Sequence, residues 1–290
     1  MSISGQNLSI VIVTLRSEKV IDRCINSIDK NLPIIVIENS DNLKFKNYLE
    51  NNYKNVQCIL SKENLGTGAG YNIGIKFSKT DYVYVINPDI TLEANALDEI
   101  FLASKKLEDF SILSPISSDV HFPNYGMIKE KKEYEEKNLP FKVKYVDGFS
   151  MLLNKNKFKN NNYFDENFFM YWENNDICIR VINDGGSVFI VPKAKIKHLG
   201  ANAVDPKFFE EIELSRNWHW MWSTFNYHRK YKGFFISLLI VLPKLISAII
   251  KILIYTLILN KEKKKIYYQR LSGLINAIMG KSSWYRPKVY

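Results

Sequence analysis

The fold is decided by a short run near the start of the chain, Leu8–Thr14, which reads LSIVIVT. A short, continuous apolar run of this kind is typical of a strand that is buried on both faces. Three similar runs, IIVIENS, VQCIL and YVYVIN, begin at residues 34, 56 and 82. Patterns of amphipathic helices separate them. This alternation over the first 115 residues predicts an α/β fold with a mostly parallel sheet covered by helices.

Polar side chains follow several of these predicted strands. They are Thr14, Glu38, Asn64 and the Asn87-Pro88-Asp89 turn. In open parallel sheets, ligands bind beyond the carboxyl ends of the strands. We therefore expect these residues to line a binding edge.

The middle of the chain is less regular. Residues 120–145 are rich in Lys and Glu and are predicted to form a mobile loop. A strand, YVDGFSMLLN, follows and is entered through Asp147-Gly148. The run SVFIVP predicts the last strand and KIKHLG a rim segment after it, and helical patterning resumes near Phe208 and continues to Gly280.

The charge of the chain is unevenly distributed. Residues 229–290 carry 13 Lys and Arg and one acid, Glu262, whereas residues 1–228 carry 27 basic and 29 acidic residues. The basic segment is also the most apolar part, which suits an anionic membrane surface better than a nucleic acid. A basic helical tail packed on a partner is the alternative. The three scattered cysteines predict reduced thiols in a cytosolic protein.

A glycine-rich segment, NLGTGAGYNIGI, begins at Asn64. It completes neither the dinucleotide fingerprint nor a Walker A loop. It is interpreted as a tight turn that needs positive φ, with backbone N–H groups offered to a phosphate or sugar as the alternative.

Acidic residues provide the candidate chemistry. Asp89, at a strand end, could bind magnesium together with water and a diphosphate, or could belong to a simple turn. Glu173 and Asp176 open a helix after the aromatic run FFMYW, whose apolar surroundings would raise a carboxyl pKa and suit a general base. Asp176 and Arg180 lie four residues apart, so a helix-stabilising pair is the simplest role for Asp176.

Together these motifs resemble the inverting nucleotide-sugar glycosyltransferases of family 2, over about residues 8–230. The resemblance is carried by SIVIVT, IVIEN, NLGTGAGYNIGI, INPD, DGFSMLL, FDENFFMYWENND and KIKHLG in this order. The later segment SRNWHWMWSTFNYHRKYKG resembles the bacterial surface-polysaccharide branch, which includes many rhamnosyltransferases. The resemblance implies the GT-A fold, a Rossmann-like sheet covered by helices.

The resemblance also implies roles for particular residues. A nucleoside-diphosphate sugar would be the donor, and a hydroxyl of a lipid-linked or polysaccharide acceptor would attack it. The donor's base and ribose would meet Thr14 and Glu38, and its diphosphate or sugar would lie near the segment from Gly68 to Asn72. Divalent Mg²⁺ or Mn²⁺ would be bound by Asp89 and His198, beside Asn87.

Two positions depart from the family pattern. Asn87 replaces the first acid of its D-x-D motif. Asn174 replaces the residue usually given the base role, and an amide cannot accept a proton. Glu173 is the preferred base and Asp176 the alternative. A nucleotide-sugar-binding protein without catalysis also remains open. A sugar nucleotidyltransferase ranks low because TLRSEKVID, after the first strand, lacks a glycine.

The apolar segment Phe234–Asn260 is long enough to span a bilayer. Ser237, Lys244 and Lys251, each seven residues apart, form a polar stripe, and basic clusters lie at both ends. These patterns favour an in-plane helix, or a hairpin bent at Pro243, over a span. We therefore expect a soluble catalytic domain at residues 1–228 and a membrane-associating region at residues 229–290. The protein would be peripheral or monotopic at the cytoplasmic face of the inner (plasma) membrane.

Overall fold

A computed structural model describes residues 7–107, 109–119, 121, 123–126, 138–200 and 203–289. The chain forms two compact units. The first comprises Met1–Asp165 and Asn174–Asp205, and the second comprises Glu166–Glu173 and Pro206–Tyr290. The second unit therefore includes an eight-residue segment from the middle of the chain.

The first unit is built on a mixed sheet. Among the described residues this sheet has nine strands. Eight of them lie in the order β3-β2-β1-β4-β10-β6-β11-β5, and the ninth, β8, pairs with β11. A separate antiparallel pair is formed by β7 and β9. The strands are β1 (Leu8–Thr14), β2 (Ile34–Glu38), β3 (Val56–Leu60), β4 (Tyr82–Ile86), β5 (Ile90–Leu92), β6 (Phe110–Ser117), β7 (Tyr125–Gly126), β8 (Phe141–Lys142), β9 (Tyr145–Val146), β10 (Ser150–Asn154) and β11 (Ser187–His198).

Helices cover both faces of this sheet. They are α1 (Ile21–Asn26), α2 (Leu43–Asn52), α3 (Thr67–Phe77), α4 (Ala96–Lys106) and α5 (Glu173–Asn183). In β1, Ile10 and Ile12 join a core with α1, α2 and α4, whereas Val11 joins a second core with α3 and α5. Because successive side chains point to opposite faces, a strand covered on both sides must be apolar throughout. The predicted parallel pairing of β1, β2, β3 and β4 is confirmed.

The glycine-rich segment has a packing role. Gly66 precedes α3 with φ at +84°, the left-handed conformation that the turn interpretation requires. Within the helix, a Cβ on Gly74 would lie 2.3 Å from Val11 Cγ1. The glycines therefore let α3 approach β1 closely, which the sequence pattern did not indicate.

Two strands differ from the sequence-based picture. β10 is antiparallel to both of its neighbours, β4 and β6. The three-residue β5 was not predicted, and it pairs antiparallel with the end of β11. The predicted loop at 120–145 contains the short strands β7 and β8 and part of β9, while residues 127–137 lie outside the described residues.

The second unit is helical. It contains α6 (Phe209–Lys232), α7 (Phe234–Leu257) and α8 (Lys261–Ile278), with Glu173 of α5 also counted in this unit. Its buried core combines Trp218, Met221 and Phe225 of α6 with Val241 of α7 and Leu274 of α8. The helix α6 continues through residue 228, where the catalytic domain was expected to end. That boundary, and the solubility expected of residues 1–228, stay predictions. A fragment ending there would leave the α6 side chains of this core without their partners on α7 and α8.

Candidate functional site

Two residues singled out in the sequence lie together at one edge of the sheet. Asp89 is 2% exposed, and its Oδ2 lies 3.4 Å from Nε2 of His198. The second carboxylate oxygen, Oδ1, is buried and has no hydrogen-bond partner among the described residues. An unpaired buried carboxylate oxygen is costly unless a ligand completes it, so this atom indicates a binding site.

The pairing of β5 with β11 brings these residues together. His198, the last residue of β11, is in register with Ile90, next to Asp89 in the chain. The backbone N–H of Leu199 donates to the carbonyl of Asp89 at 3.2 Å. The ring of Phe149 packs 4.2 Å from the His198 ring. The pairing of the short strand β5 with β11 therefore brings together two motifs that are distant in the sequence.

The side chain of Asn87 is oriented by a hydrogen bond from a buried tyrosine. The hydroxyl of Tyr71 donates to Asn87 Oδ1 at 2.9 Å, and the N–H of Asn87 donates to the carbonyl of Phe149. An asparagine supplies this acceptor without adding a second negative charge beside Asp89. The substitution for the family's first acid thus has a local structural partner.

Thr14 and Glu38 end adjacent strands and are in register with each other. Thr14 donates to the carbonyl of Ile37 at 3.4 Å. The Glu38 carboxylate accepts hydrogen bonds from the N–H groups of Ser40 and Asn42. The structure thus engages Glu38 with its own loop, and its predicted contact with a nucleoside stays a prediction.

Asn39, next in the chain, was missed by the sequence reasoning. It is 3% exposed, and its Nδ2 donates to the carbonyl of Gly66 at 3.1 Å. Its Oδ1 is buried without a hydrogen-bond partner among the described residues. In the sequence it was one more polar residue in a turn, and only the packing reveals the unpaired acceptor.

Gly68 and Asn72 lie in α3, both buried. The amide of Asn72 makes two hydrogen bonds with the backbone of Phe164, accepting from its N–H at 3.0 Å and donating to its carbonyl at 2.9 Å. Asn72 therefore fastens the start of the FDENFF motif to α3. The role predicted for Gly68 and Asn72 near the donor stays a prediction.

The residues at Asp89 fit a divalent metal in part. A carboxylate and an imidazole are suitable ligands for Mn²⁺, and Mg²⁺ commonly takes one or two carboxylates with substrate phosphates and water. Over the described ranges, no group of three or more His, Cys, Asp or Glu residues is arranged to hold a metal. Asp89 and His198 would therefore supply two ligands and leave the other positions to a diphosphate and water.

Asp147 was seen in the sequence only as the entry to a strand. Burial raises the pKa of its carboxyl, and the charge of nearby His198 opposes that rise. It is thus a second acid in the electrostatic environment of His198. No spacing signal in the sequence links residue 147 to residue 198.

Glu173, the first residue of α5, is a buried carboxylic acid. It is 8% exposed, and its Oε2 is buried without a hydrogen-bond partner in the part of the chain that the structure describes. Burial raises the pKa of its carboxyl to about 7. A carboxylate with a pKa near neutral accepts a proton more readily than an ordinary glutamate.

The neighbouring candidates are engaged elsewhere. Arg180 Nε donates to Asp176 Oδ2 at 2.8 Å, and Asp176 is fully buried. The helix-stabilising pair expected from the four-residue spacing is thus present. Asn174 Nδ2 donates to the carbonyl of Val146 at 2.8 Å, which anchors the start of α5.

Comparison with known proteins adds independent information. Residues 9–171 match the family model described as Glycosyl transferase family 2. The chain is 29% identical over 230 residues to rhamnosyltransferase WbbL of Escherichia coli, covering 70% of this chain and 84% of that protein. It is 25% identical over 207 residues to dTDP-rhamnosyl transferase RfbF of Shigella flexneri, covering 67% and 69%.

A third relative is the low-salt glycan biosynthesis hexosyltransferase Agl10 of Haloferax volcanii, 25% identical over 192 residues. The match covers 60% of this chain and spans 61% of the length of Agl10.

Solved structures confirm the predicted GT-A fold. GalNAc-T7 with UDP, GalNAc and Mn²⁺ gives a TM-score of 0.57 at 14% identity, covering 66% of this chain and 43% of that chain. TarS 1–349 of S. aureus in complex with UDP gives 0.52 at 14% identity, covering 98% and 94%. At such identities the likeness shows the fold alone.

Proposed function

Because the chain belongs to glycosyl transferase family 2, we propose that it is an inverting glycosyltransferase of cell-surface glycan synthesis. It takes a sugar from a nucleoside-diphosphate sugar and transfers it to a hydroxyl of a lipid-linked or polysaccharide acceptor. The observation that carries the proposal is the Asp89–His198 pair, with its unpaired carboxylate oxygen, at the edge of a GT-A sheet. Two relatives are named as rhamnosyltransferases, so dTDP-rhamnose is the first donor to test.

In the proposed reaction Glu173 accepts the proton of the acceptor hydroxyl. The acceptor oxygen forms a bond to the anomeric carbon on the face opposite the diphosphate. The bond between that carbon and the diphosphate oxygen breaks, and the nucleoside diphosphate leaves with the electron pair. A divalent metal held by Asp89 and His198 would supply positive charge for the diphosphate. Asn39, with its buried unpaired acceptor, is proposed to accept a hydrogen bond from the donor nucleoside.

The function is tested by turnover of the full-length protein. Nucleotide sugars, with dTDP-rhamnose first and UDP-sugars after it, are incubated with membranes that supply lipid-linked acceptors. We expect release of nucleoside diphosphate, together with an acceptor product heavier by one sugar in mass spectrometry. Binding of a nucleotide sugar without turnover would support a non-catalytic binding protein instead. Pyrophosphate release from a nucleoside triphosphate and a sugar 1-phosphate would identify a nucleotidyltransferase.

We also propose that the second unit binds the cytoplasmic face of the inner (plasma) membrane. Among the described residues, α7 is the one helix long and apolar enough to cross a membrane. The polar stripe of α7, formed by Ser237, Lys244 and Lys251, is not exposed to solvent along its whole length. Ser237 is fully buried, and Lys251 Nζ donates to the hydroxyl of Tyr267 on α8 at 3.0 Å. Several large apolar side chains are instead exposed on α7 and just after it, namely Phe235, Leu239, Leu253, Leu257 and Leu259.

This arrangement favours burial of one face of α7 in lipid while its other face packs within the unit. Lysines of α8, Lys261, Lys263 and Lys264, would meet anionic headgroups, whereas Lys265 pairs with Glu210 of α6. On its packed side α7 buries Ser237, Val241 and Ala248 within the unit, and Lys251 contacts α8. The interpretation as an in-plane segment is therefore retained as the proposal.

Membrane binding is tested by flotation with phosphatidylglycerol vesicles. We expect the full-length protein to float and to stay bound in high salt, since apolar burial adds to charge. Changing both Leu239 and Leu253 to Glu should release most of it. The control for an added surface charge is Leu43→Glu, at a leucine of similar exposure in α2. A C-terminal tag on the far side of the membrane in a protease-protection assay would overturn the in-plane arrangement.

A further inference from the structure

The C-terminal tail of the second unit follows a defined path along α6. We call residues 281–289, which follow α8, the C-terminal strap. The carbonyl of Lys281 accepts from Trp222 Nε1 at 3.0 Å, and the carbonyl of Tyr285 lies 2.8 Å from His219 Nε2. Further along, the N–H of Lys288 donates to Glu211 Oε2 at 3.3 Å. The strap therefore runs antiparallel to α6.

The strap contacts the aromatic motif in the middle of the chain. The guanidinium of Arg286 lies 3.9 Å from the centre of the Phe169 ring, and the ring of His219 lies 4.5 Å from it. Ser283 Oγ lies 3.1 Å from His219 Nδ1, so both nitrogens of that ring meet the strap. Phe169 is 2% exposed. The ring of Phe169 is thus packed against Arg286 of the strap and against His219 of α6, which itself contacts the strap.

The residues after Phe169 are held by α6. The carbonyl of Met170 accepts from Ser223 Oγ at 2.8 Å. Trp172 Nε1 donates to Thr224 Oγ1 at 3.1 Å, and its ring stacks 4.4 Å from that of Tyr227.

The backbone of this segment adopts an unfavourable conformation. Tyr171 and Trp172 have φ values of +67° and +71°. Bulky residues rarely take this left-handed conformation, and it persists only where surrounding contacts impose it. Glu173 follows directly in the chain. The orientation of the Glu173 side chain therefore depends on the segment that precedes it. That segment is held by α6 at residues 170–172 and by the strap at Phe169.

We propose that the C-terminal strap positions Glu173, with Arg286 and His219 as positioning residues acting through Phe169. The proposal rests on the proposed function, in which Glu173 is the general base. It assigns the end of the chain a role in catalysis, separate from membrane binding. Neither positioning residue needs to touch a substrate.

The test compares Arg286→Ala with Lys288→Ala in the full-length protein. Both variants remove one exposed positive charge from the strap, but Lys288 contacts Glu211 through its backbone N–H. Hydrogen exchange of the amides of residues 166–174 is measured, together with turnover of dTDP-rhamnose. Since a misplacement of about 1 Å can cost up to about a hundredfold, we expect Arg286→Ala to lower kcat roughly tenfold, with KM for the donor unchanged. Exchange should accelerate within residues 166–174 and stay unchanged in α3.

Further variants distinguish a positioning role of Arg286 from a general effect of charge. Arg286→Lys, which keeps the charge but loses the planar group, should restore only part of kcat. An equal loss in Lys288→Ala would overturn the proposal, because the effect would then be one of general charge. A lower kcat without faster exchange in residues 166–174 would also overturn it. If Glu173→Gln leaves turnover intact, the proposed base fails; if Glu173→Gln is impaired and Arg286→Ala is not, only the strap proposal fails.

Discussion

Replacing Glu173 by glutamine should lower kcat at least a hundredfold, because a positioned general base contributes about 10²–10⁴ to the rate. Glutamine keeps the size of the side chain but cannot accept the proton. In the wild type, kcat should rise with pH and level off above about 7 as the Glu173 carboxyl loses its proton. The measurement is a pH profile of kcat for both proteins. A variant with wild-type turnover would move the base role to another residue.

Measuring the free energy of unfolding distinguishes loss of the proposed base from loss of the fold in Glu173→Gln. The pKa of Glu173 is raised from 4.5 to about 7 in the folded state, so the folded protein binds this proton more tightly than the unfolded chain. The resulting stabilisation is complete below pH 4.5 and is lost as the pH rises through about 7, a change on the order of 3 kcal/mol. Glutamine does not ionise. Glu173→Gln should therefore be at least as stable as the wild type at pH 8, even though its kcat should be at least a hundredfold lower.

Two neighbouring variants serve as controls for Glu173→Gln. Asn174→Ala removes a hydrogen bond to Val146 and should cost less than tenfold in kcat. Asp176→Asn weakens the buried pair with Arg180 and should lower the free energy of unfolding by about 2 kcal/mol. A larger catalytic loss in Asp176→Asn than in Glu173→Gln would favour Asp176 as the base.

Replacing Asp89 by alanine should abolish the dependence of donor binding on Mg²⁺ or Mn²⁺ and lower turnover on the order of a hundredfold or more. The wild type should bind UDP or dTDP more tightly with metal than with chelator in calorimetry. Asp89→Ala should bind equally weakly in both conditions, and His198→Ala should show a smaller change in the same direction. The control is Asp29→Asn, which alters an exposed carboxylate of the same unit. Identical binding by the wild type with metal and with chelator would refute the metal assignment.

The sheet could be predicted because its strands are covered on both faces. A strand such as Leu8–Thr14 has to be apolar at nearly every position, and this produces a clear signal. The same burial hides the direction of β10, since SMLLN would look alike in a parallel and an antiparallel strand. The strand β5 has only three residues, too few for any periodicity. Prediction was therefore weakest at β5, whose pairing joins Asp89 to His198.

The candidate site was predictable in its residue types but not in its contacts. The positions of Asp89, Glu173 and His198 follow from motifs. By contrast, the engagement of Glu38 with its own loop and the unpaired acceptor of Asn39 depend on how the turn after β2 closes. The Asp176–Arg180 pair was predictable because both partners lie within one turn of a helix. Contacts of longer range, such as that of Arg286 with Phe169, leave no local pattern.

The packing of Phe169 against Arg286 also has a consequence for biosynthesis. A ribosome that has made Phe169 must add more than a hundred further residues before Arg286 exists, which takes about 6 to 23 s at 5–20 residues per second. During that interval Phe169 lacks the packing of Arg286, and the residues that lead to Glu173 are held by α6 alone. A chain that stops after α6 can therefore complete the sheet while its proposed base is held less firmly. Under the strap proposal, full activity would appear only once Arg286 has been made, and therefore after the apolar helix α7.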